Sequence, residues 1–183
     1  DAPPAPPASP APTAASTVVP VAMPHGYTRP LGPSVLLAPL AAGGMGEVFL
    51  ASSTFAGAVR LVVIKTLRPD LVKEAGYVRR FQDEARIALE LSHKNVSQVF
   101  DVGIVDGVHY IAMEHIAGAT LRRVVEAADN ALPPHAAIFI AIEVLEGLAS
   151  AHAHRHPLTG EPRPVVHRDV SPHNVMVSYD GDV

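Results

Sequence analysis

The stretch "VVHRDVSPHN" (residues 165–174) is the most informative part of this chain and decides the kind of fold to expect. It places Asp169 and Asn174 on one loop between two short apolar runs. A carboxylate can orient a hydroxyl group or accept its proton, and an amide oxygen is a neutral ligand for Mg²⁺. Two such groups on one rigid loop suit phosphoryl transfer, in which a protein mainly positions groups and neutralises charge.

A glycine-rich turn, "AAGGMGEV" (residues 41–48), lies between two strand-like runs. Gly43, Gly44 and Gly46 let the backbone approach a bulky anion, with amide N–H groups facing phosphate oxygens. An ordinary β-hairpin explains the same residues equally well from this stretch alone. No Gly-Lys-Ser/Thr sequence follows, which excludes a nucleotide P-loop of the Walker type.

Lys65 ends the apolar run "LVVIK", where a buried ammonium group is costly unless it is paired. A lysine that extends along the strand end to solvent is the alternative explanation. Glu84 lies on the following predicted helix and shares a face with Ala88 and Leu91, the side that must pack on the sheet. We therefore predict that Lys65 and Glu84 form an ion pair.

After residue 30 the sequence alternates between strand-like and helix-like patterns, which predicts an α+β fold. β-branched runs joined by small-residue turns predict three antiparallel strands within residues 35–67. A helix follows, with Asp70 as its expected N-cap, and two more strands flank the turn at residues 106–107. From Gly118 onward we predict a short helix and then a long, mostly apolar helix at about 134–154.

Composition excludes several classes of protein. The 183 residues carry a formal net charge of −4, which offers no basic surface for nucleic acid. No cysteine is present, so disulfides and thiolate zinc sites are excluded. The absence of cysteine also fits a reducing compartment, and we expect a cytoplasmic location. No uninterrupted apolar run of about 18 residues is visible, so we expect no membrane segment in this piece.

Residues 1–30 contain nine of the chain's 18 prolines, mixed with alanine, serine and threonine. Proline fixes φ and small side chains bury little area, so we expect a disordered, extended linker. The alternative role for this stretch is that of a ligand for a proline-reading domain.

Five motifs in this order resemble those of the protein kinases. They are "AAGGMGEV" (41–48), "VVIK" (62–65), Glu84, "YIAMEHI" (110–116) and "HRDVSPHN" (167–174). The style is similar to that of the eukaryotic-type serine/threonine kinases of bacteria, and Pro172 resembles the serine/threonine branch. The resemblance implies an antiparallel sheet lobe with one main helix over residues 31–117, which binds ATP. Residues 118–183 would then be the incomplete beginning of a helical lobe.

The resemblance also implies the catalytic residues. Asp169 would be the catalytic base, with His167 and Arg168 bracing its loop. Asn174 would bind Mg²⁺, which together with ATP is the implied cofactor. The implied substrate is a protein that carries a serine or threonine hydroxyl group.

For the nucleotide, the resemblance implies that Lys65 binds the α- and β-phosphates and is held by Glu84. Met113 would be the gatekeeper, and the backbone of Glu114 and Ile116 would hydrogen-bond the adenine edge. The full set of implied ATP-binding positions is Ala41, Gly43, Gly44, Gly46, Val48, Val63, Lys65, Met113, Glu114 and Ile116.

Four features depart from the family pattern. Ala41 stands where the first loop glycine is usual, which is tolerable if its φ is negative. Val63 replaces the usual alanine and narrows the adenine slot. Ser171 replaces a lysine that contacts the γ-phosphate, so a neutral donor stands in for a charge and we expect a roughly tenfold lower rate. Residues 154–164 are longer than the usual connection before the catalytic loop.

The family pattern continues past Val183 with the strand that delivers an Asp-Phe-Gly motif, whose Asp holds the catalytic metal. We therefore expect the chain, which begins at Asp1, to be an internal piece truncated before that motif, with weak nucleotide binding and little turnover of its own. The long helix at 134–154 should expose an apolar flank, which favours poor solubility and self-association.

Three other interpretations stay open. A pseudokinase or scaffold would keep the fold and act through partners, which the changes at Ala41 and Ser171 slightly favour. A kinase-like small-molecule phosphotransferase usually carries a small residue before the catalytic Asp, so Arg168 argues against it. Four histidines between residues 152 and 167 offer a metal site, although helix-end and loop positions explain them better.

Overall fold

The computed structural model describes residues 28–44, 46–55 and 57–183, so the predicted linker at 1–30 falls almost entirely outside the described residues. We call residues 28–117 the sheet lobe and residues 118–183 the second lobe. This is the predicted α+β arrangement: an antiparallel sheet with one main helix, followed by the beginning of a helical lobe.

The sheet lobe is built on six strands. They are β1 (Arg29–Leu31), β2 (Ser34–Ala42), β3 (Gly46–Phe55), β4 (Ala58–Leu67), β5 (Val99–Val105) and β6 (Val108–Glu114). All neighbours are antiparallel, in the order β1-β2-β3-β4-β6-β5. The three strands predicted within 35–67 and the pair around residues 106–107 are all present. β1 was not predicted, and it begins two residues before the expected start of the folded part.

The turn between β5 and β6 shows why the hairpin was visible in the sequence. Asp106 and Gly107 have φ values of 48° and 78°, which match the turn type that suits the twist of a two-residue hairpin. Asp and Gly tolerate this left-handed region better than other residues. The turn therefore fixes the register in which Val105 pairs with Val108.

Helix α1 (Ala75–Glu90) is the main helix of the sheet lobe, and it begins later than predicted. A short 3-10 helix (Leu71–Lys73) precedes it, and Asp70 stands before that turn instead of capping α1. Asp70 is unavailable as a cap because its carboxylate accepts two hydrogen bonds from Arg68, at 3.0 and 2.9 Å. That pairing also holds the pKa of the Asp70 carboxyl below its usual range.

The sheet buries both of its faces. On one face Leu36, Phe49, Val62 and Ile64 form a cluster with Tyr110 and its neighbours. On the other face α1 packs Phe81 and Ala85 against β4, β5 and β6, in a cluster formed by Leu67, Phe81, Ala85, Val99 and Ile111. Helix α1 is therefore held by hydrophobic packing against the face of the sheet that also carries Lys65.

The second lobe contains less regular structure. Its elements are β7 (Gly118–Thr120), α2 (Leu121–Ala127), α3 (Pro134–His152) and β8 (Met176–Ser178). β7 and β8 pair as a separate two-stranded sheet. The Thr120 side chain accepts a hydrogen bond from the Arg123 N–H and so caps α2, and Pro134 occupies the first turn of α3.

Helix α3 bears on the expectation that this piece contains no membrane segment. Within the described residues it is the one helix that is long and apolar enough to cross a membrane, by length and composition alone, although only 17% of that window is buried. Glu143 and Glu146 interrupt its apolar pattern, so the sequence of α3 contains no uninterrupted apolar run. Both glutamates bind Lys94 of the sheet lobe, so α3 is docked on protein along that side.

Candidate active site

The predicted ion pair is present on the sheet lobe. Lys65 on β4 and Glu84 on α1 lie with Nζ and Oε1 2.6 Å apart. The Lys65 side chain is 28% exposed and that of Glu84 is 51% exposed, so the pair stands at the edge of the packed face. A pair with this exposure adds little to stability, so the contact is not needed to hold the fold together.

Strand register gathers the predicted adenine and phosphate positions on one face of the sheet. Val48 pairs with Lys65 across β3 and β4, and Val63 pairs with Met113 across β4 and β6. Directly opposed residues in antiparallel strands point to the same face, as do residues two apart along a strand. Val48, Val63, Lys65 and Met113 therefore share one surface, as the predicted nucleotide site requires.

The glycine-rich turn is closed by a hydrogen bond from the Gly43 N–H to the Gly46 carbonyl at 2.8 Å. At Gly46 a Cβ atom would lie 2.1 Å from the Thr66 carbonyl oxygen, so the sheet itself demands glycine there. At Gly44 a Cβ atom would meet nothing within 4 Å, so no protein contact requires that glycine. Ala41 lies in β2 opposite Val48 and its φ is not positive, so its side chain is accommodated without strain.

The segment after β6 carries the predicted adenine-edge residues. The Glu114 N–H already donates to the Gln98 carbonyl at 2.8 Å, and the Glu114 carboxylate accepts from the Gln98 N–H at 3.3 Å. The Glu114 N–H is therefore already used within the protein. At this residue only the carbonyl oxygen is left for the predicted backbone contact with the adenine edge. Ile116 follows in the connection to β7 and is half-buried.

Asp169 and Asn174 are joined in the catalytic loop. The Asn174 Nδ2 group donates to the Asp169 carbonyl at 3.0 Å and to Asp169 Oδ2 at 2.8 Å. The Asp169 N–H donates to His167 Nδ1 at 3.3 Å, which fits the predicted bracing role of His167. Arg168, the residue before Asp169, has a φ of 65°, which lies in the left-handed region that residues other than glycine rarely adopt.

Backbone hydrogen bonds to α2 hold this loop in place. The Leu121 N–H donates to the Val175 carbonyl at 2.7 Å, and the Arg122 N–H donates to the Pro172 carbonyl at 2.9 Å. Because the first N–H groups of a helix lack partners within the helix, they are available to fix a neighbouring loop. The loop that carries Asp169 is thus positioned by α2 and β7–β8 instead of by a hydrophobic core.

One atom of this loop, the amide oxygen of Asn174, has the chemistry of a Mg²⁺ ligand. Both described hydrogen bonds of the Asn174 side chain use Nδ2, so its Oδ1 is left without a partner among the residues described. An amide oxygen beside a carboxylate is a hard-ligand arrangement suited to Mg²⁺. Within residues 28–44, 46–55 and 57–183 no group of three or more His, Asp or Glu side chains is placed to hold a metal.

The two lobes meet through polar contacts that the sequence did not reveal. Lys94 Nζ lies 2.9 Å from Glu143 and 3.0 Å from Glu146, and the Asn95 side chain donates to Glu143 at 2.7 Å. These donors hold the pKa of the Glu143 carboxyl below its usual range, Asn95 most strongly. A Cβ atom at Gly147 would lie 2.8 Å from the Asn95 carbonyl oxygen, so glycine is needed for this close approach.

The predicted site residues thus form two clusters, one on the sheet lobe around Lys65 and one on the loop around Asp169. Among the residues that the structure describes, no hydrogen bond or ion pair joins these clusters directly. Glu90 at the end of α1 provides a further bridge, since it contacts His154 and Arg163 of the second lobe. No local sequence signal marks such a contact, because the residues lie far apart along the chain.

Comparison with known proteins supports the same assignment. A family model described as "Protein kinase domain" matches residues 35–183. The tyrosine-protein kinase MasK of Myxococcus xanthus is 40% identical over 159 residues, which covers 85% of this chain and 24% of that protein. The serine/threonine-protein kinase PrkC of Bacillus subtilis is 34% identical over 148 residues, covering 81% of this chain and 21% of PrkC. The chain therefore spans about a quarter of the length of these relatives.

Solved structures show the same fold. The kinase domain of Mycobacterium tuberculosis PknI is similar with a TM-score of 0.65 at 28% identity, over 84% of this chain and 58% of that domain. The match to the family model covers most of the chain, including every motif that carries the resemblance. This chain belongs to the protein kinase domain family.

Proposed function

We propose that this chain supplies the ATP-binding lobe and catalytic loop of a protein kinase that transfers the γ-phosphoryl group of ATP to a serine or threonine hydroxyl. The observation that carries the proposal is the Lys65–Glu84 contact at 2.6 Å, in the same chain as the Asp169–Asn174 contact at 2.8 Å. Neither pair is needed for the hydrophobic core, and together they supply the charges that phosphoryl transfer requires.

Lys65 is proposed to neutralise the α- and β-phosphates, with Glu84 fixing the direction of its ammonium group. Gly43 and Gly44 allow the loop above to approach the phosphates closely, since a Cβ atom at Gly44 would meet nothing in the protein. Val48, Val63 and Met113 share the face of the sheet that would hold the adenine ring. The Glu114 carbonyl and the Ile116 backbone are proposed to bind its polar edge.

Asp169 is proposed to act on the acceptor hydroxyl. As the hydroxyl oxygen forms its bond to the γ-phosphorus, the bond from that phosphorus to the β-phosphate oxygen breaks, and the proton passes to the Asp169 carboxylate. Asn174 holds that carboxylate through Nδ2 and offers its free Oδ1 to a metal. Mg²⁺, when bound with ATP, neutralises charge on the transferring phosphates.

Serine or threonine is the proposed acceptor because Pro172 resembles the serine/threonine branch and PrkC carries that name. Tyrosine is the second candidate, since MasK is named a tyrosine-protein kinase and is 40% identical to this chain. Both acceptors use the same phosphoryl chemistry. The choice between serine or threonine and tyrosine therefore depends on the surface that presents the hydroxyl group to Asp169.

The proposal is tested with the full-length protein, Mg²⁺ and γ-labelled ATP, followed by phosphoamino acid analysis. We expect phosphoserine or phosphothreonine, and a loss of about 10²–10⁴-fold in rate for Asp169→Asn. Lys65→Met should cost about 10²–10³-fold because one charged contact to the phosphates is lost. The control is Asp180→Asn, which removes an exposed carboxylate in the turn after β8 and should leave the rate unchanged.

Three results would reject this function. Labelled phosphotyrosine alone would favour the second candidate. No transfer by the wild-type protein, with nucleotide bound, would favour the pseudokinase interpretation. Transfer that survives in Asp169→Asn would remove this carboxylate from the mechanism. The 183-residue chain assayed by itself tests the finer expectation of weak nucleotide binding and little turnover, since Asn174 alone is a poor Mg²⁺ site.

A further inference from the structure

The segment that connects α3 to the catalytic loop folds into a hairpin, which we call the 154–163 hairpin. The Arg163 N–H donates to the His154 carbonyl and the His156 N–H donates to the Glu161 carbonyl, each at 2.9 Å. Arg155 NH1 also donates to the Gly160 carbonyl at 2.9 Å across the turn. This connection is longer than the one usual in the family. The hydrogen bonds give it a defined shape.

Both ends of the hairpin contact the same side chain of the sheet lobe, that of Glu90. Arg163 NH1 lies 2.9 Å from each carboxylate oxygen of Glu90, and His154 Nε2 lies 3.2 Å from Glu90 Oε2. The Glu90 and His154 side chains are only 20% and 12% exposed, whereas that of Arg163 is 43% exposed. His154 first and then Arg163 lower the pKa of the Glu90 carboxyl, so it is ionised in this contact at neutral pH.

This contact is more than an ordinary surface ion pair. An exposed pair of long side chains contributes little because both must be immobilised and water screens them. Here three groups meet, two of them mostly shielded, and the hairpin bonds fix His154 and Arg163 before they meet Glu90. Preorganised groups lose less entropy on contact, so the network has more stabilising effect than its members would have separately.

The position of the contact links the two halves of the site. Glu90 and Glu84 lie on the same helix, α1, within about two turns of each other. Arg163 lies just before the loop that carries Asp169. A shift or rotation of α1 that separates Glu84 from Lys65 would also pull Glu90 away from the hairpin, because a helix moves as one body.

We propose that His154 and Arg163 are positioning residues that act through Glu90, holding α1 in the orientation in which Glu84 binds Lys65. Neither residue is among the positions proposed to bind nucleotide or substrate. They act by joining the helix of the sheet lobe to the segment that leads into the catalytic loop. This inference rests on the proposed kinase function for its kinetic consequence, although the orientation of α1 can be measured without any activity.

The test compares Arg163→Gln and Glu90→Gln with Arg68→Gln in the full-length protein. Arg68 is the matched control because its 2.9 Å ion pair with Asp70 lies wholly within the sheet lobe. We expect kcat to fall about fivefold in both single variants, as for loss of a coupled contact, and the control to be unchanged. Amide hydrogen exchange across residues 75–90 should quicken in the single variants, with exchange in β3 and β4 unaltered.

Charge reversal provides the rescue. Glu90→Arg and Arg163→Glu should each lower kcat at least as much as the Gln variants, whereas the double variant should recover part of the loss. Arg163→Lys, which keeps the charge but loses the planar geometry, should fall between wild type and Arg163→Gln. Since Glu90 and Arg163 lie outside the hydrophobic clusters, these variants should fold.

Several outcomes would overturn the inference. One is wild-type kcat and wild-type exchange in Arg163→Gln. Another is a fall in kcat without faster exchange in α1, which would place Arg163 at the substrate instead. A third is faster exchange throughout the protein, which would show that the contact stabilises the whole fold and not the orientation of α1 in particular. If the wild-type protein transfers no phosphoryl group, the proposed function fails, and the exchange pattern alone decides the inference.

Discussion

The sheet lobe and the second lobe are each stabilised by a different kind of interaction. Of the buried hydrophobic side chains among the described residues, only Ile140 and Ala151 belong to the second lobe. The sheet lobe has two hydrophobic clusters, one on each face of its sheet. The second lobe relies on capping, backbone hydrogen bonds and ion pairs, and α3 exposes Ile138, Phe139, Ile142 and Leu145. The Lys65–Glu84 half of the site therefore rests on packing, whereas the Asp169–Asn174 half rests on hydrogen bonds.

The largest test of this comparison uses one phenylalanine from each lobe. Phe81 on α1 is 1% exposed, whereas Phe139 on α3 is 48% exposed. We expect Phe81→Ala to lower the free energy of unfolding by about 3–5 kcal/mol, because it leaves a cavity in the core. Phe139→Ala should change it by less than about 1 kcal/mol. Urea denaturation followed by circular dichroism measures both.

The comparison would fail if the two phenylalanine variants lost similar stability. A large loss for Phe139→Ala would mean that its exposed ring is covered in solution, for example by self-association. Size-exclusion chromatography of the wild-type chain over a range of concentrations separates that explanation from a packing effect within one molecule.

A smaller effect is expected within the glycine-rich turn. Gly46→Ala would place a Cβ atom 2.1 Å from the Thr66 carbonyl oxygen, so β3 and β4 must shift apart. We expect a loss of about 1–3 kcal/mol in the free energy of unfolding, as for other overpacked sites. Gly44→Ala is the matched control and should leave stability within about 0.5 kcal/mol, since the added Cβ meets no atom within 4 Å.

Gly44→Ala also sharpens the functional side of the comparison. If that glycine serves a ligand, the variant should keep its stability and weaken nucleotide binding, as measured by isothermal titration with ATP and Mg²⁺. Unchanged affinity would show that neither the sheet nor the nucleotide requires glycine at position 44.

The smallest effects concern pH, and they place the contacts between the lobes and the packing within the sheet lobe at opposite ends of the pH scale. The folded pKa values of Glu90 and Glu143 lie below the usual 4.5, so their contribution is complete above that pH and is lost as pH falls through the lowered values. Burial, and then Asp101, raises the pKa of Tyr110 in the sheet lobe to about 12 from 10.0. Its contribution is complete below pH 10.0 and is lost as pH rises towards 12.

Unfolding midpoints measured across pH test both signs. Glu90→Gln and Glu143→Gln should flatten the acid side of the profile, and Tyr110→Phe should flatten the alkaline side. An acid profile that is unchanged in both glutamine variants would show that the contact between the lobes does not contribute to stability.

The sheet and its ion pair could be predicted because their signals are local or energetically strong. Alternation of β-branched residues marks strands, and Asp106-Gly107 matches one turn type. A lysine within an apolar strand needs a partner, and Glu84 was the carboxylate on the packed face of the next helix. The predicted contact between them is confirmed, whereas their proposed roles in binding ATP stay predictions.

Other features could not be predicted because their causes lie far apart in the chain. β1 has three residues and depends on pairing with β2 for its existence. Asp70 was a reasonable N-cap until Arg68 engaged its carboxylate. Glu90 meets Arg163 across 73 positions, and nothing in either local sequence indicates the other.

The placement of Lys65 has a consequence for control of the site. β4 is an interior strand, and Lys65 pairs with Val48 on one side and with Ile111 on the other. Its backbone is therefore held by strands on both sides, whereas Glu84 lies on a helix that contacts the sheet through side chains. A change in the distance between Lys65 and Glu84 is therefore expected to come from a movement of α1 and not from a movement of β4.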